Sequence, residues 1–326
     1  MISDKKIQLI FKEIGKSVQN SSFLGKGEAS SVLKVSTNQG TYALKTALYP
    51  ERKEKILKEA QIRTFFIENG LLCIPRPLYS DCEIFPNGAV IYEYIEGNKP
   101  DFNNISNLRQ FARIISEIHG IEYEIVDDGS SQIKKLYQSL KQTTSKIITE
   151  YPHLMNPLII LAFENALKEF EQKINEKSEE ITIGVNARLH GDLSDNFIID
   201  GNGKIWLIDW ENSEYGDVME ELCWFLYVNN IKPENRLKFF QEYQKWFIPA
   251  RKFMFEEISG LYYAATPVFN ICWGLDQLDM NIRQNLEPER KLRDLAISAK
   301  NWKGFFSDTT ASLIIKGINT LKQALH

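Results

Sequence analysis

The sequence has little of what marks several protein classes. Only four cysteines occur in 326 residues, and the spacing of Cys73, Cys82, Cys223 and Cys272 matches no paired metal-ligand motif. So few cysteines in a chain of this size favour a reducing compartment. No apolar run is long enough to span a bilayer, and no apolar signal core follows residues 1–5. We therefore expect a cytoplasmic protein with no membrane association.

The chain also lacks a strong charge of one sign. Its net charge is −4, and no dense basic stripe interleaved with aromatic residues is present, which argues against nucleic acid as the principal partner. There is no internal repeat, low-complexity tract or long Pro/Gly linker. A chain of this length can bury a core large enough for two lobes, and we expect a short hinge near residues 95–103 to join them.

The most informative segment runs from Arg188 to Asp209. It holds Asp192, Asn196 and Asp209 in the order and approximate spacing required for ATP-dependent phosphoryl transfer to a hydroxyl. That reaction needs mainly positioning and charge neutralisation from the protein. Asp192 is predicted to accept the proton of the attacking hydroxyl. Asn196 and Asp209 are predicted to bind Mg²⁺, because oxygen ligands suit a hard cation.

A predicted hairpin strengthens this interpretation. Residues 197–199 are apolar, residues 200–203 read Asp-Gly-Asn-Gly, and residues 204–208 return as a second apolar strand. Such a hairpin carries the chain out and back. We therefore expect Asp209 to lie beside Asn196, although the two residues are distant in sequence.

The motifs of this segment resemble a known family. His-Gly-Asp at 190–192 and Ile-Asp-Trp at 208–210 are similar to the motifs of the aminoglycoside phosphotransferase and choline kinase-like small-molecule kinases. The resemblance implies a two-lobed, protein kinase-like α+β fold. Residues 1–97 would form a nucleotide-clamping lobe with a small antiparallel sheet and one main helix. Residues 98–326 would form a larger, mainly helical lobe with the catalytic loop and the substrate pocket.

One departure from the family concerns the proposed metal ligand. In most members the Asn follows the Asp by five residues, whereas here Asn196 follows Asp192 by four. The shorter loop leaves Asp195 open as a less favoured substitute ligand.

A glycine-containing turn is predicted to approach the phosphates of the nucleotide. Gly25 and Gly27 allow backbone N–H groups to come close to phosphate oxygens, and Ser30 or Ser31 can add a hydroxyl donor. A strand pattern follows the glycines, and the absence of a helix there disfavours a Rossmann dinucleotide site. A two-glycine β-turn without a ligand is the competing interpretation.

Lys45 ends the next predicted strand and corresponds to the family's phosphate-binding lysine. Residues 51–69 have helical spacing, and Glu59 within them resembles the family's acidic partner of that lysine. The resemblance implies a Lys45–Glu59 ion pair, with Glu54 as the alternative partner.

A kinase-type hinge is expected near Glu93. Residues 83–85 and 89–95 read as a hairpin, and the resemblance implies that backbone groups of Glu93 and Ile95 bind the nucleotide base. Tyr92 and Tyr94 either pack on the base or belong to a half-buried strand. Because main-chain groups would contact the base, GTP is not excluded as an alternative to ATP.

Several helix boundaries in the second part of the chain follow from capping residues. Ser106 is predicted to cap a helix that ends at Gly120, and Asp217 to cap a helix over residues 218–228. Residues 121–182 are expected to contain one or two further helices.

The acceptor is the least defined part of the prediction. The resemblance places the substrate pocket between the segment that follows Asp209 and the terminal helices. The candidate contacts are Asp192, Glu211, Glu214, Trp224 and Trp273. Carboxylates mixed with aromatic rings can bind a cationic amine, although tryptophans at helical spacing are more often core residues. Glu211 matches a position that is acidic in choline kinase-like members, where it would contact metal or substrate. The predicted activity is phosphoryl transfer from ATP to a small-molecule hydroxyl. The alternative is a nucleotide-binding pseudokinase that acts as an interaction module.

Overall fold

The computed structural model describes residues 2–26, 30–126, 129–177, 184–247, 249, 255–284, 286 and 288–325. Contacts divide the chain into two compact units. The first comprises Met1–Tyr123, Ala187–Glu221 and Ile231–Ile248, and the second comprises Glu124–Asn186, Leu222–Asn230 and Pro249–His326.

A five-stranded antiparallel sheet forms the amino-terminal part of the first unit, with strand order β1-β2-β3-β5-β4. The elements in this part are α1 (Asp4–Glu13), β1 (Val18–Lys26), β2 (Ser30–Thr37), β3 (Gly40–Ala47), α2 (Lys53–Glu68), β4 (Pro77–Asp81) and β5 (Ala89–Glu93).

The two faces of this sheet are covered by different helices. On one face Phe11 of α1 is fully buried in a cluster that includes Leu44 and Ile91. On the other face Ala60 of α2 packs in a cluster that includes Val90. Because successive strand residues point to opposite faces, Leu44 lies on the α1 side and the next residue of β3 lies on the α2 side. This alternation brings Lys45 to α2.

A second, three-stranded sheet in the first unit has the order β10-β9-β6. The β9–β10 hairpin pairs Ile199 with Ile205 and Phe197 with Leu207, as the sequence predicted. Helix α3 packs against α7 beside this sheet. The elements are β6 (Gly97–Asn98), α3 (Ile105–Ile121), β9 (Phe197–Asp200), β10 (Ile205–Leu207), β11 (Tyr215–Asp217) and α7 (Pro233–Trp246).

The second unit is mainly helical. Helix α5 packs against α10, and α8 packs against both α4 and α9. Trp302 is fully buried in this core and donates its indole N–H to the carbonyl of Pro267, 3.2 Å away. The helices are α4 (Gly129–Glu150), α5 (Pro157–Lys177), α8 (Phe255–Arg283), α9 (Pro288–Asn301) and α10 (Asp308–Ala324). The chain passes between the units in β7 (Tyr123–Val126), β8 (Gly184–Arg188) and α6 (Val218–Val228).

The α+β class with a small antiparallel sheet is confirmed, but two local predictions are wrong. The strand expected at residues 83–85 lies at Pro77–Asp81, because the carboxylate of Asp81 accepts the N–H groups of Ile84 and Phe85 and holds that segment in a turn. The cap of α3 is Asn104, which accepts the N–H of Ser106. No helix among the described residues is both long and apolar enough to cross a membrane.

Candidate active site

Lys45 lies at the centre of a buried cluster of charges in the first unit. Its Nζ atom is 2.7 Å from Glu59 Oε2, 2.7 Å from Asp209 Oδ1 and 3.2 Å from Glu211 Oε2. The structure therefore brings β3, α2 and the segment after β10 together at one ammonium group. Glu54, the alternative partner in the sequence, is exposed in the first turn of α2.

The members of this cluster hold one another in the charged state. Burial alone would lower the pKa of Lys45, but Glu59, Asp209 and Glu211 outweigh that effect and raise it above its ordinary value. Burial would raise the pKa of Glu59, and the charges of Arg63 and Lys45 instead hold it well below its usual range. Both groups therefore stay ionised at neutral pH.

Arg63 belongs to the same cluster and was not predicted from the sequence. It is buried one helical turn after Glu59 and donates from Nη2 to Glu59 Oε1. The signal was present in the i, i+4 spacing of the two residues on α2. It was not distinctive, because exposed helices carry many such pairs.

A cavity of about 140 Å³ adjoins this cluster, and Lys45 and Asp209 are among its lining residues. The predicted hinge residues Glu93 and Ile95 line it, together with Tyr92 and Tyr94. The N–H of Glu93 donates to the carbonyl of Arg76, 3.0 Å away, and is not available to a nucleotide base. Aliphatic residues form much of the remaining wall: Leu24, Val32, Ala43, Ile198 and Ile208.

The predicted glycine-containing turn falls between β1 and β2 in the sequence, and residues 27–29 lie outside the described residues. Gly25 pairs with Val32 across this hairpin, whereas Gly27 lies outside the described residues. Ser30 and Ser31 are buried at the start of β2. Because strand residues alternate between faces, Ser30 shares the face of Val32, which lines the cavity, and Ser31 points to the opposite face. The hydroxyl on the cavity side is therefore that of Ser30.

The loop after β8 holds Asp192 and Asn196 in a compact turn. Ser194 Oγ donates to Asp192 Oδ1 at 2.6 Å, and Asn196 Nδ2 donates to the carbonyl of Asp192 at 3.0 Å. The N–H of Ile208 donates to the carbonyl of Asn196 at 3.1 Å, so Asp209 follows directly. The predicted proximity of Asn196 to the residue after the hairpin is thus confirmed.

Asp195, the substitute ligand, points elsewhere. Its side chain is 76% exposed and forms an ion pair with Lys99. Asp209, by contrast, has φ = +60°, one of two non-glycine residues with positive φ in the described part of the chain. Such backbone strain is common at functional sites.

His190 links the loop to the strand that leads to Asp209. The imidazole is fully buried, its Nε2 lies 2.9 Å from the carbonyl of Ile208, and its Nδ1 lies 3.3 Å from the N–H of Asp192. The N–H of Asp192 requires Nδ1 as an acceptor, so the proton is on Nε2. Burial lowers the pKa of His190 and keeps the ring neutral. The ring also packs against Trp210, with centroids 4.4 Å apart.

A second buried chain of hydrogen bonds reaches the backbone of the loop. Glu221 Oε1 accepts the N–H of Gly191 at 2.7 Å, and Oε2 lies 2.9 Å from His119 Nε2. His119 Nδ1 in turn lies 2.7 Å from the hydroxyl of Tyr243. Gly191 has φ = +83°, and a Cβ there would lie 2.1 Å from the carbonyl oxygen of Asn212. Only glycine fits this position.

The oxygen atoms that suit a divalent cation belong to Asn196, Asp209 and Glu211. Carboxylate atoms of Glu59, Asp209 and Glu211 lie within 4.8 Å of one another. Glu59 is fully buried and already paired with Lys45 and Arg63, so it is not open to a metal. Asn196 uses its Nδ2, which leaves Oδ1 as a ligand atom. This oxygen-only donor set fits Mg²⁺.

The candidate substrate residues are spread over both units. Glu211 belongs to the Lys45 cluster, and Glu214 is exposed beside it in sequence. Trp224 and Trp273 lie in the second unit. Trp273 is 53% exposed on α8, and the ammonium of Lys291 lies 4.8 Å from its ring centroid. The substrate pocket expected around these residues stays a prediction, as does the lobe boundary after Gly97.

Family comparisons agree with this geometry. Residues 21–254 match the model of a family described as phosphotransferase enzymes. The chain belongs to the phosphotransferase enzyme family. The matched segment contains Lys45, Glu59, Asp192 and Asp209, and it ends before Trp273. The family predicted from the His-Gly-Asp and Ile-Asp-Trp motifs is therefore confirmed.

Individual relatives of this phosphotransferase are distant. A LicA homologue from Mycoplasma capricolum is 23% identical over 160 residues, which cover 48% of this chain and 58% of the relative. The chain thus spans little more than half the length of that curated relative.

Solved structures resemble the whole chain. Choline kinase LicA from Streptococcus pneumoniae aligns over 98% of this chain and 99% of its own, with TM-score 0.54 and 17% identity. Aminoglycoside phosphotransferase APH(4)-Ia aligns over 97% and 99%, with TM-score 0.60 and 14% identity. At these identities the similarity shows the fold alone, and it confirms the kinase-like architecture.

Proposed function

We propose that the protein is a kinase that transfers the γ-phosphate of a nucleoside triphosphate, taken to be ATP, to a hydroxyl of a small molecule. One observation carries this proposal: the ammonium of Lys45 lies between Glu59 and Asp209 at a cavity that Glu93 and Ile95 help to line. A fixed cation next to a mostly apolar cavity suits a ligand with a flat base and a phosphate chain. Related structures contain AMP in LicA, AMP-PNP in APH(4)-Ia and GDP in another aminoglycoside phosphotransferase.

In this proposal the side chain of Asp192 takes up the proton of the acceptor hydroxyl. Ser194 occupies Oδ1 of this carboxylate and leaves Oδ2 free to accept that proton. The acceptor oxygen bonds to the γ-phosphorus as the bond from phosphorus to the bridging oxygen breaks, and ADP is released. Lys45 binds the α and β phosphates, while the N–H groups near Gly25 and the hydroxyl of Ser30 approach the phosphate chain.

Asn196 Oδ1 and the carboxylate of Asp209 would hold Mg²⁺, which neutralises phosphate charge when bound. The carboxylate of Glu211 lies 3.2 Å from the Lys45 ammonium, at the phosphate end of the site. This position supports a contact with the metal over a contact with the acceptor.

For the acceptor we propose a cationic hydroxyl compound: an amino alcohol such as choline or ethanolamine, an amino sugar or an aminoglycoside. The chemistry of the neighbours supports this range, since LicA is a choline kinase and structures of two aminoglycoside phosphotransferases contain hygromycin B and kanamycin. The exposed carboxylate of Glu214, three residues after Glu211, supports a cationic acceptor, because a carboxylate binds an ammonium group by a charge-assisted hydrogen bond.

The test is an ADP-release assay with Mg²⁺ across a panel of amino alcohols, sugars, aminoglycosides and macrolides. Acceptor-dependent release with at least one compound is expected. Asp192→Asn should retain nucleotide affinity and lower kcat by about 10²–10⁴-fold, because the carboxylate acts in the transition state. Lys45→Met should instead weaken nucleotide binding.

The alternative is a pseudokinase that binds nucleotide without turnover. The presence of Lys45, Asp192, Asn196 and Asp209 together argues against it, since a pure binder can tolerate the loss of some of them. Normal ATP binding with no turnover on any panel member would favour the pseudokinase. Absence of nucleotide binding to the wild-type protein would contradict both functions.

A further inference from the structure

We propose that Arg63 is a positioning residue for the nucleotide site: it neutralises Glu59 and thereby leaves the charge of Lys45 for the phosphates. This inference rests on the proposed function. It concerns a residue that neither the catalytic motifs nor the family resemblance singled out.

The contacts of Arg63 are made on three sides. Nη2 donates to Glu59 Oε1, and Nη1 donates to the carbonyl of Pro75 at 3.5 Å. The guanidinium lies over the ring of Tyr92, with its central carbon 4.0 Å from the ring centroid. The side chain is only 4% exposed. A buried arginine is costly to desolvate, so its retention here requires strong partners.

The two oxygens of Glu59 are divided between two cations. Oε1 is bound by Arg63, and Oε2 is bound by Lys45 at 2.7 Å. Glu59 itself is fully buried, so no water can take the place of either partner.

The charge balance explains what this division achieves. Three carboxylates, those of Glu59, Asp209 and Glu211, lie within 3.2 Å of the single ammonium of Lys45. Without a second cation, the ammonium would be fully committed to these acids. With Arg63 compensating Glu59, the interaction of Lys45 with an incoming phosphate chain competes with fewer carboxylates.

Arg63 also fixes the place of α2. The helix carries Glu59, whereas Pro75 precedes β4 and Tyr92 lies on β5. The guanidinium therefore ties α2 to the sheet at the level of the ion pair. The five donors of a planar guanidinium make such a three-sided contact possible, and the single ammonium of a lysine does not.

The experiment is calorimetric titration of the full chain with ADP and Mg²⁺, which requires no acceptor. We expect Arg63→Met to raise the Kd for ADP about 10- to 100-fold. This range corresponds to the free energy of one charge-assisted hydrogen bond in a buried site. Arg63→Lys retains a charge and should raise Kd less. Arg113→Met is the matched control, because Arg113 forms the same i, i+4 pair with Glu117 on an exposed helix surface. It should leave Kd unchanged.

A double-mutant cycle with Glu59→Gln distinguishes a charge effect from loss of structure. If Arg63 acts through the charge of Glu59, Arg63→Met adds little to the Kd of the Glu59→Gln variant. The inference would be overturned if the rise in Kd of the double variant equalled the product of the rises in the two single variants. A Kd of Arg63→Met within twofold of wild type would also overturn it. Should Arg63→Met not fold, Arg63→Gln, which also lacks the charge, completes the same cycle. A wild-type protein that does not bind ADP would refute the proposed function itself.

Discussion

Replacement of Glu221 by alanine should destabilise the fold around the loop that holds Asp192. The side chain of Glu221 is 3% exposed and binds two groups, the backbone N–H of Gly191 at 2.7 Å and the buried His119 at 2.9 Å through its Nε2. Hydrogen bonds to a charged group contribute about 1.5–3 kcal/mol each, so the two together amount to about 3–6 kcal/mol. Alanine would also leave the buried Nε2 of His119 without this partner.

The loss should be visible as a lower unfolding temperature. A chain or unit of this size loses about 2–4 °C per kcal/mol, so we expect the midpoint to fall by at least about 6 °C. Differential scanning calorimetry measures this shift. Glu221→Gln keeps the shape of the side chain and one acceptor oxygen, so its unfolding midpoint should fall less than that of Glu221→Ala. The control is Glu164→Ala, which removes an exposed glutamate from the middle of α5.

Turnover gives a second measurement of the role of Glu221, made on the Glu221→Gln variant. Because Gly191 precedes Asp192, Glu221→Gln should lower kcat more than it raises the nucleotide KM. A midpoint for Glu221→Ala within about 1 °C of wild type would refute the account of Glu221 as a partner of the loop.

Two further predictions concern the same loop, and a third concerns the turn that precedes β5. His190 should be in the Nε2–H tautomer and stay neutral at pH 6.5 in NMR, because burial lowers its pKa below the ordinary 6.5; stability should therefore be full above that pH and fall as the solution is acidified below it. A titration midpoint of His190 at or above 6.5 would contradict this. Gly191→Ala should greatly reduce activity, since its Cβ would lie 2.1 Å from the carbonyl oxygen of Asn212, and unchanged kcat would be inconsistent with that geometry. Asp81→Ala should lower the unfolding temperature by releasing the turn that precedes β5, whereas an unaltered midpoint would show that the N–H groups of Ile84 and Phe85 do not depend on it.

Local chemistry made much of the site predictable. The Asp-Gly-Asn-Gly turn specifies the hairpin that follows Asn196, because these residues tolerate the conformations that a tight turn needs. Asp217 caps α6 over Val218–Val228 as expected, and its carboxylate accepts the N–H of Met219 at 2.9 Å. The contact of Lys45 with Glu59 followed from the family resemblance, and its geometry follows from the alternation of β3.

Helix α1 also has a signal in its sequence, the helical spacing of its apolar residues. Helix α1 has Ile7, Ile10 and Phe11 at helical spacing, and these side chains are buried against the sheet. The spacing alone would have predicted the helix.

The tertiary structure decided which partners the site residues have. Glu221 and His119 are 102 positions apart, and no short window of sequence contains both. Arg63 looks like any i, i+4 partner until its burial under Tyr92 is known. Side-chain alternation separates Ser30 from Ser31, but only the packed sheet shows which face adjoins the cavity.

The sequence by itself determined the proposed chemistry of this protein, because the predicted catalytic carboxylate, its predicted metal ligands and the turns that present them lie within about twenty consecutive residues. The tertiary structure alone decided how charge is distributed around Lys45. Buried ion pairs in a low-dielectric setting depend on which side chains, distant in sequence, pack together. Local sequence patterns do not encode that packing.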